Sequence, residues 1–376
     1  VKATAVLQKQ QEERALQRAQ LAPMRPEWIY RRQGWNSFTR EDITQPGLAE
    51  HPPLPTEDAR LSDPRLAYHA HLKLVSHQGY DEVLLASFRA VMVNSERREG
   101  ILDRVIDGMS GTGKSLLLRA IGRTVQRDIE DRTKGALVAQ TPVVHILAPA
   151  DTDSKVNWVW EIACFLGLNP EPLNENELLR MRSYPDLTAS VNYVLENALT
   201  RLLLVDDIQR VQPHQLAPVL HYFDYLRNRL GITTIFCGTG ASDIVHEARA
   251  IADRHQVTVQ RHLTRRATHS PGQQDTSQKD PAHSFLPITW LDPIPFNAQD
   301  KETWLQVLAG YEKHLSLHNL TKHALTEHHE YLHNRTGGYF LALSQLICQA
   351  ATLAILTGTE NITRTELDAI HIGRGH

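Results

Sequence analysis

The sequence predicts an α/β fold, with a parallel five-stranded sheet covered by helices on both faces and followed by a smaller all-helical domain. Three observations carry that expectation. Five apolar, strand-like runs alternate with helical stretches between about residues 66 and 295. A glycine-rich loop joins the first of these strands to the helix after it. Beyond Pro295 the pattern is helical only, which marks the second domain.

Residues 1–22 are rich in helix formers and stop at Pro23 and Pro26, predicting an exposed or partner-docked helix. From Arg25 to about Pro64, proline, tryptophan and turn residues replace any period, so residues 1–65 read as a helix and an extended arm. Trp28, Tyr30 and Trp35, beside Arg31 and Arg32, either dock on a partner or pack on the chain's own domain. The α/β domain is expected over 66–295. Helices at 66–76 and 79–95 lead into the strand "ILDRVIDG", and further strands are expected at "TPVVHILAP", "RLLLVDD", "GITTIFCG" and "FLPITWL". Helices at 154–167, 187–200, 213–229 and 241–252 separate them, and strands joined through helices pair in parallel. Residues 263–284 are nearly devoid of apolar side chains and predict a mobile loop. Helices at about 297–314, 322–334, 338–356 and 363–371 make up the domain 296–376.

A chain of 376 residues exceeds one comfortable core, which agrees with two domains. Its 41% hydrophobic and 22% charged residues are ordinary for a globular protein. A net charge of −3 excludes a surface that is basic throughout, so any nucleic-acid contact is a local patch or a groove built by assembly. Cys164, Cys237 and Cys348 are odd in number, far apart and flanked by apolar residues, as buried thiols in a reducing compartment are. No apolar run approaches the roughly 20 residues that span a bilayer, and the first residues hold no signal-peptide core. A cytoplasmic protein with no membrane partner is the expectation. His329 and His333 share a helix face near His323 and His328, but no Glu or Cys set completes a metal site, so structural histidines are expected.

Gly108 to Ser115, "GMSGTGKS", fits the pattern G-x-x-x-x-G-K-[ST] between a strand and a helix. Triphosphate oxygens need many short-range donors. Gly108, Gly111 and Gly113 let the backbone curl so that the N–H groups of the loop, through Ser110, Thr112 and on to Leu116, face an anion at a helix N-terminus. Lys114 would reach the β- and γ-phosphates of ATP, and the Ser115 hydroxyl would ligate Mg2+. In "LLLVDDIQR" an apolar strand delivers two acids. Asp206 suits the Mg2+ shell, and Asp207 sits where related ATPases place a glutamate that polarises the attacking water. An aspartate is one methylene shorter, and misplacement on that scale costs about 10²-fold in rate. Slow hydrolysis is expected.

With both motifs in place, residues from about 80 to 371 resemble AAA+ ATPases, and among them the TniB/TnsC family of transposition regulators. The resemblance rests on "GMSGTGKS", "VVHILAP", "FLGLNP", "LLLVDDIQR", "GITTIFCGTGASDIV", "LPITWLDPIPF" and "RTGGYFLALSQLICQAATLAI". It implies an AAA+ P-loop domain followed by a helical lid. It further implies that Thr239 is a polar sensor of the γ-phosphate, and that an arginine after the next helix acts on the neighbouring subunit's nucleotide. Arg261 is the first choice for that role and Arg254 the second, within a stretch that also holds Arg249, Arg265 and Arg266. By the same resemblance Arg335, expected to open a lid helix, is a candidate second sensor.

The function this implies is an ATP-dependent regulator of DNA transposition. Subunits would form a homo-oligomeric ring or helical filament on duplex DNA, engage a transposase and target-selection proteins, and disassemble on hydrolysis. Lys155, Arg180 and Arg182 are the candidate DNA contacts, each read against the alternative of a solvated charge. Two other readings are a helicase loader or remodelling ATPase, and a nucleotide-switched signalling ATPase of the STAND type held as a monomer.

Overall fold

The computed structural model describes residues 29–40, 54–70, 72, 77–97, 99–134, 140–150, 154–168, 186–267, 286–297 and 300–373, with 58, 59, 78 and 255–267 described by backbone alone. The helix expected at 1–22, Trp28, and the candidate DNA contacts Arg180 and Arg182 lie outside the described residues.

Five strands, β1 (Arg104–Gly108), β2 (Val143–Leu147), β3 (Leu202–Asp206), β4 (Thr233–Cys237) and β5 (Ile288–Leu291), form one sheet in the order β2-β3-β4-β1-β5. Every neighbouring pair is parallel, as expected. β3 and β4 are buried along their whole length, which is why they read as unbroken apolar runs. β4 separates β1 from β3, and Phe236 pairs with Val105 on one side and Val205 on the other. The carboxyl ends of β3 and β4 are thereby level with Ile106, and β1 runs on to Gly108.

The helix α4 (Lys114–Arg132) crosses the sheet after β1 and contacts both β1 and β3. Gly122 allows this close approach, since a Cβ there would lie 2.5 Å from Leu204 and 2.9 Å from Trp35. Trp35 belongs to α1 (Arg32–Arg40), is fully buried, and donates from Nε1 to Gln126 Oε1 at 2.6 Å. This part of the arm packs on the chain's own domain.

Residues 57–72 take a different course. A 3-10 turn (Glu57–Ser62) and α2 (Pro64–Ala70) place Leu66, Tyr68 and Leu72 in the core of the helical domain, because these apolar side chains meet its helices and not the sheet. The boundary expected at 66 therefore divides a segment that packs with the lid. Arg65 is fully buried and bridges Asp63 and Glu360, each at 2.7 Å. The chain then returns to the α/β domain in α3 (Gln78–Glu96).

β2 leads to α5 (Lys155–Leu166) and α6 (Thr188–Asn197), and β3 leads through α7 (Pro213–Leu216) to α8 (Leu220–Leu230). The helix after β4, α9 (Ala241–Ala267), runs well beyond the expected end at 252, because no Gly or Pro interrupts it before Pro271. Residues 263–267 thus continue a helix and do not begin a loop, and 268–284 lie outside the described residues. The lid comprises α10 (Lys301–Lys313), α11 (His329–Thr336), α12 (Phe340–Thr357) and α13 (Arg364–Ala369).

By length and composition α12 could cross a membrane, which corrects the expectation that no run approaches that length. Here Leu343, Leu346, Ile347, Ala350, Ala351 and Ala354 of α12 are fully buried in the lid core. All three cysteines are free thiols, Cys164 and Cys237 being buried.

The Asp63–Arg65–Glu360 cluster joins the arm to the lid. Burial alone would raise both carboxyls, but the Arg65 hydrogen bonds outweigh it and hold both below the usual carboxylate range. Depressed folded-state values mean that this contribution is complete above the unfolded-state pKa and is lost as pH falls through the folded-state value. Arg65→Met should cost about 3–5 kcal/mol in urea denaturation at neutral pH, because two buried carboxylates lose their partner. The variant should also show a shallower loss of stability on acidification than the wild type.

Candidate nucleotide site

The loop between β1 and α4 is set by backbone geometry. Gly111 and Gly113 adopt φ of 82° and 95°, and Gly108 adopts 143°. At Gly108 a Cβ would lie 2.0 Å from the carbonyl oxygen of Leu291 on β5, so glycine here serves both conformation and strand packing. Thr112 is buried and donates to the Met109 carbonyl at 2.8 Å, tying the loop to itself. Ser110 is exposed at the loop tip, and Leu116 is partly exposed in the first turn of α4.

Lys114 turns back under the loop. Its Nζ donates to the carbonyls of Gly108 at 2.8 Å and Met109 at 2.6 Å, and to Thr239 Oγ1 at 3.3 Å. The Ser115 hydroxyl donates to Asp206 Oδ1 at 2.9 Å, so the start of α4 is joined to the end of β3. Four of the residues expected to act on a nucleotide, Lys114, Ser115, Asp206 and Thr239, are therefore brought together at the carboxyl ends of β1, β3 and β4. Crevices at such strand ends, where the strand order switches, are where open α/β sheets bind ligands.

Asp206 is buried and held on both oxygens. Oδ1 accepts from Ser115 and from the Asp207 backbone N–H at 3.1 Å, while Oδ2 accepts from the Tyr30 hydroxyl at 3.2 Å. Burial alone would raise this carboxyl. The His145 ring, with Nε2 at 3.8 Å, the Ser115 hydroxyl and the charge of Arg119 outweigh it and hold the group below the usual carboxylate range. Burial pushes the Tyr30 phenol up, as does the Asp206 carboxylate, so Tyr30 remains a donor.

Asp207 leaves the strand in a left-handed conformation, φ 54°, and its Oδ1 accepts from Gln209 Nε2 at 2.9 Å. Gln209 Oε1 in turn accepts from the Thr239 backbone N–H at 3.2 Å. Asp207 and Thr239 are thus bridged by one amide. A further link comes from Asp107 on β1, which accepts from the N–H groups of Gly108 and Gly240 and from both donors of Ser242. It pins the phosphate loop to the loop after β4. Burial would raise the Asp107 carboxyl, and these hydrogen bonds instead hold it low.

Other candidates are placed elsewhere. Arg335 lies in the last turn of α11 and does not open a helix. Its guanidinium donates to the carbonyls of Leu367 at 2.7 Å and Ile370 at 2.5 Å and to the Tyr331 hydroxyl, a use of arginine at a helix C-terminus rather than at a phosphate. Arg254 is exposed on α9 and donates to the Ala250 carbonyl at 3.0 Å, and Arg261 lies on the same helix where the backbone alone is described. Arg249 is engaged by Asp103 and Asp224. Lys155 is exposed at the start of α5. His329 and His333 bond the carbonyls of Thr326 and Ile294, and no group of three or more His, Cys, Asp or Glu residues is assembled among the described residues.

The donor set fits Mg2+ with a nucleoside triphosphate. Mg2+ is held by one or two protein oxygens and otherwise by phosphate and water, and one hydroxyl and one carboxylate oxygen lie together beside the lysine. Residues 100–242 match the family model described as the AAA domain. That stretch runs from β1 through β4 and contains every residue of the phosphate loop and both acids. Similar solved structures include the Aeropyrum pernix ORC1 protein in complex with DNA, at 14% identity over 84% of this chain and 70% of that one, TM-score 0.49. Drosophila ORC bound to DNA is similar at 11% identity over 86% and 68%, TM-score 0.48. Domain III of the Thermotoga maritima replication initiation protein DnaA is similar at 14% identity over 75% and 88%, TM-score 0.41. No curated protein matches the sequence.

Sequence reasoning missed Gln209, Asp107 and His145, and it left Tyr30 between two uses. Gln209 was within reach, because a polar side chain two residues after an acid at a strand end is placed to hold it. Gly108→Ala should lower stability by roughly 1–3 kcal/mol from backbone strain alone, with the contact at Leu291 adding to it. Gly167→Ala, at φ 74° with nothing within 4 Å of its Cβ, should cost only about 1–2 kcal/mol. Thermal denaturation of the two variants side by side checks the difference.

Proposed function

We propose that this chain is a Mg2+-dependent ATPase that works as a switch in DNA transposition, assembling on duplex DNA when ATP is bound. The observation that carries the nucleotide reading is the convergence of Lys114, Ser115, Asp206 and Thr239 at the ends of three parallel strands. In this reading Lys114 exchanges its loop carbonyls for phosphate oxygens, and the loop N–H groups and the helix dipole of α4 hold the remaining phosphate charge. Ser115 and Asp206 hold Mg2+, which when bound neutralises charge on the phosphates. Thr239 contacts the terminal phosphate. Its backbone link through Gln209 to Asp207 joins that contact to the group that orients water.

The transposition reading is supported by the sequence resemblance to TniB/TnsC regulators in "LLLVDDIQR", "GITTIFCGTG" and "RTGGYFLALSQ". A regulator of this kind tracks the phosphate backbone, so its DNA affinity falls steeply with salt and shows little sequence preference. Lys155, Arg180 and Arg182 are proposed DNA contacts, and Arg261 or Arg254 the arginine that reaches a neighbouring subunit's nucleotide, since a guanidinium can lie across phosphate charge while sealing an interface. Transposase and target-selection proteins are the proposed partners. Asp207, tethered by Gln209 and shorter than glutamate, is proposed as a brake that keeps the assembled state long-lived.

Electron microscopy with ATP and duplex DNA should show rings or filaments that form with wild type and not with Lys114→Ala. Lys114→Ala assembling like wild type would contradict the switch. A DNA-indifferent monomer would favour the signalling alternative, and a closed ring acting on protein the remodelling one. Asp207→Glu should hydrolyse ATP faster than wild type, by about 10-fold or more in steady-state phosphate release. An unchanged rate would remove the brake and leave the metal site in place.

A further inference from the structure

The segment 29–40 precedes the α/β domain in sequence but is built into its nucleotide end. Tyr30 packs against His145 of β2 with ring centroids 4.5 Å apart and planes tilted by 42°, and Trp35 lies against the same imidazole at 5.1 Å. Trp35 is fully buried and bonded to Gln126, Asn36 Oδ1 accepts from Gln126 Nε2 at 3.1 Å, and Arg127 Nε donates to the Thr39 carbonyl at 2.7 Å. The hydrogen-bonded anchors, Gln126 and Arg127, are on α4, the helix whose first residues are Lys114 and Ser115. From that fixed base the Tyr30 hydroxyl reaches Asp206 Oδ2, the oxygen that Ser115 does not use.

We infer that Tyr30 is a positioning residue of the Mg2+–nucleotide site, and that docking of residues 29–40 and occupancy of the site strengthen each other. The inference rests on the nucleotide reading above. A carboxylate on a strand end has a free torsion at its last bond. With a hydroxyl donor on each oxygen, one from α4 and one from the arm, that torsion is fixed and Oδ1 is kept on the Ser115 side. Whatever favours the fixed carboxylate favours the docked arm by the same factor, because coupling between two binding events is reciprocal. The arm thus carries the state of the site to residues outside the α/β domain. A partner that draws the arm away would weaken Mg2+ binding without touching the phosphate loop.

The test uses Tyr30→Phe in the full chain, which keeps the ring on His145 and removes only the hydroxyl, with Tyr30→Ala as the variant that also removes the ring contact. Affinity for a fluorescent, non-hydrolysable ATP analogue is measured across a Mg2+ titration and in EDTA, and backbone hydrogen exchange is followed over residues 33–40 without nucleotide. Tyr30→Phe should raise the half-saturating Mg2+ concentration about tenfold, the scale of one hydrogen bond to a charged group. Its affinity in EDTA should equal that of wild type, and exchange in the arm should quicken severalfold without nucleotide. Tyr30→Ala should exceed it in both readouts. If wild type binds the analogue and Tyr30→Phe shows the same Mg2+ dependence and arm exchange, the inference is overturned and the nucleotide reading stands. If wild type binds no analogue at any Mg2+ concentration, the nucleotide reading itself falls.

Discussion

The placement of β4 between β1 and β3 is the constraint on which the rest depends. It separates the strand that carries the phosphate loop from the strand that carries the acids by one strand's width. That gap is bridged from above by the Ser115–Asp206 hydrogen bond, with Thr239 at the end of β4 filling the space between. Were β1 and β3 adjacent, Thr239 could not lie between the lysine and the acid. Asp107 then holds the loops after β1 and β4 in one register through four hydrogen bonds, so the two sides of the site cannot drift apart independently.

The lid and the arm close around this arrangement through backbone contacts and buried charge. The Leu341 N–H donates to the Gly111 carbonyl at 3.1 Å, and the Ile294 N–H donates to the Gly338 carbonyl at 3.1 Å. The start of α12 therefore rests on the phosphate loop. The N-terminal region runs from the α/β core, through Trp35, to the lid, through Arg65, and back to the core in α3. It thereby adds a second tie between the two domains, beside the contact of Ile294 with Gly338. His77, at the return, stacks on Phe340 of the lid with centroids 5.6 Å apart.

What was legible in the sequence follows the range of the interactions. The glycines, Lys114 and Ser115 could be read because a phosphate loop is a local backbone solution with few permitted residues. Asp206 could be read because a wholly buried strand that ends in acids has few other uses. The five strands and their parallel pairing follow from helical crossovers. The arm could not be read this way, because Tyr30 and Asp206 are 176 residues apart and nothing local in "EWIYRRQGW" marks its destination. The same holds for Arg65, whose partner Glu360 is 295 residues distant, and so the domain boundary at 66 cut through a segment that packs as one. Arg335 was misplaced for the opposite reason. Its neighbours "TGG" match a known pattern, while its own contacts serve the end of α13.

The central claim, that Ser115 and Asp206 form a Mg2+ site next to a triphosphate, is tested most directly by calorimetric titration of ATP with and without Mg2+ in wild type and Asp206→Asn. Wild type should bind ATP at least tenfold more tightly with Mg2+, and Asp206→Asn should lose that gain while keeping its Mg2+-free affinity. An undiminished Mg2+ gain in Asp206→Asn would contradict the assignment, as would a wild-type chain that binds no ATP.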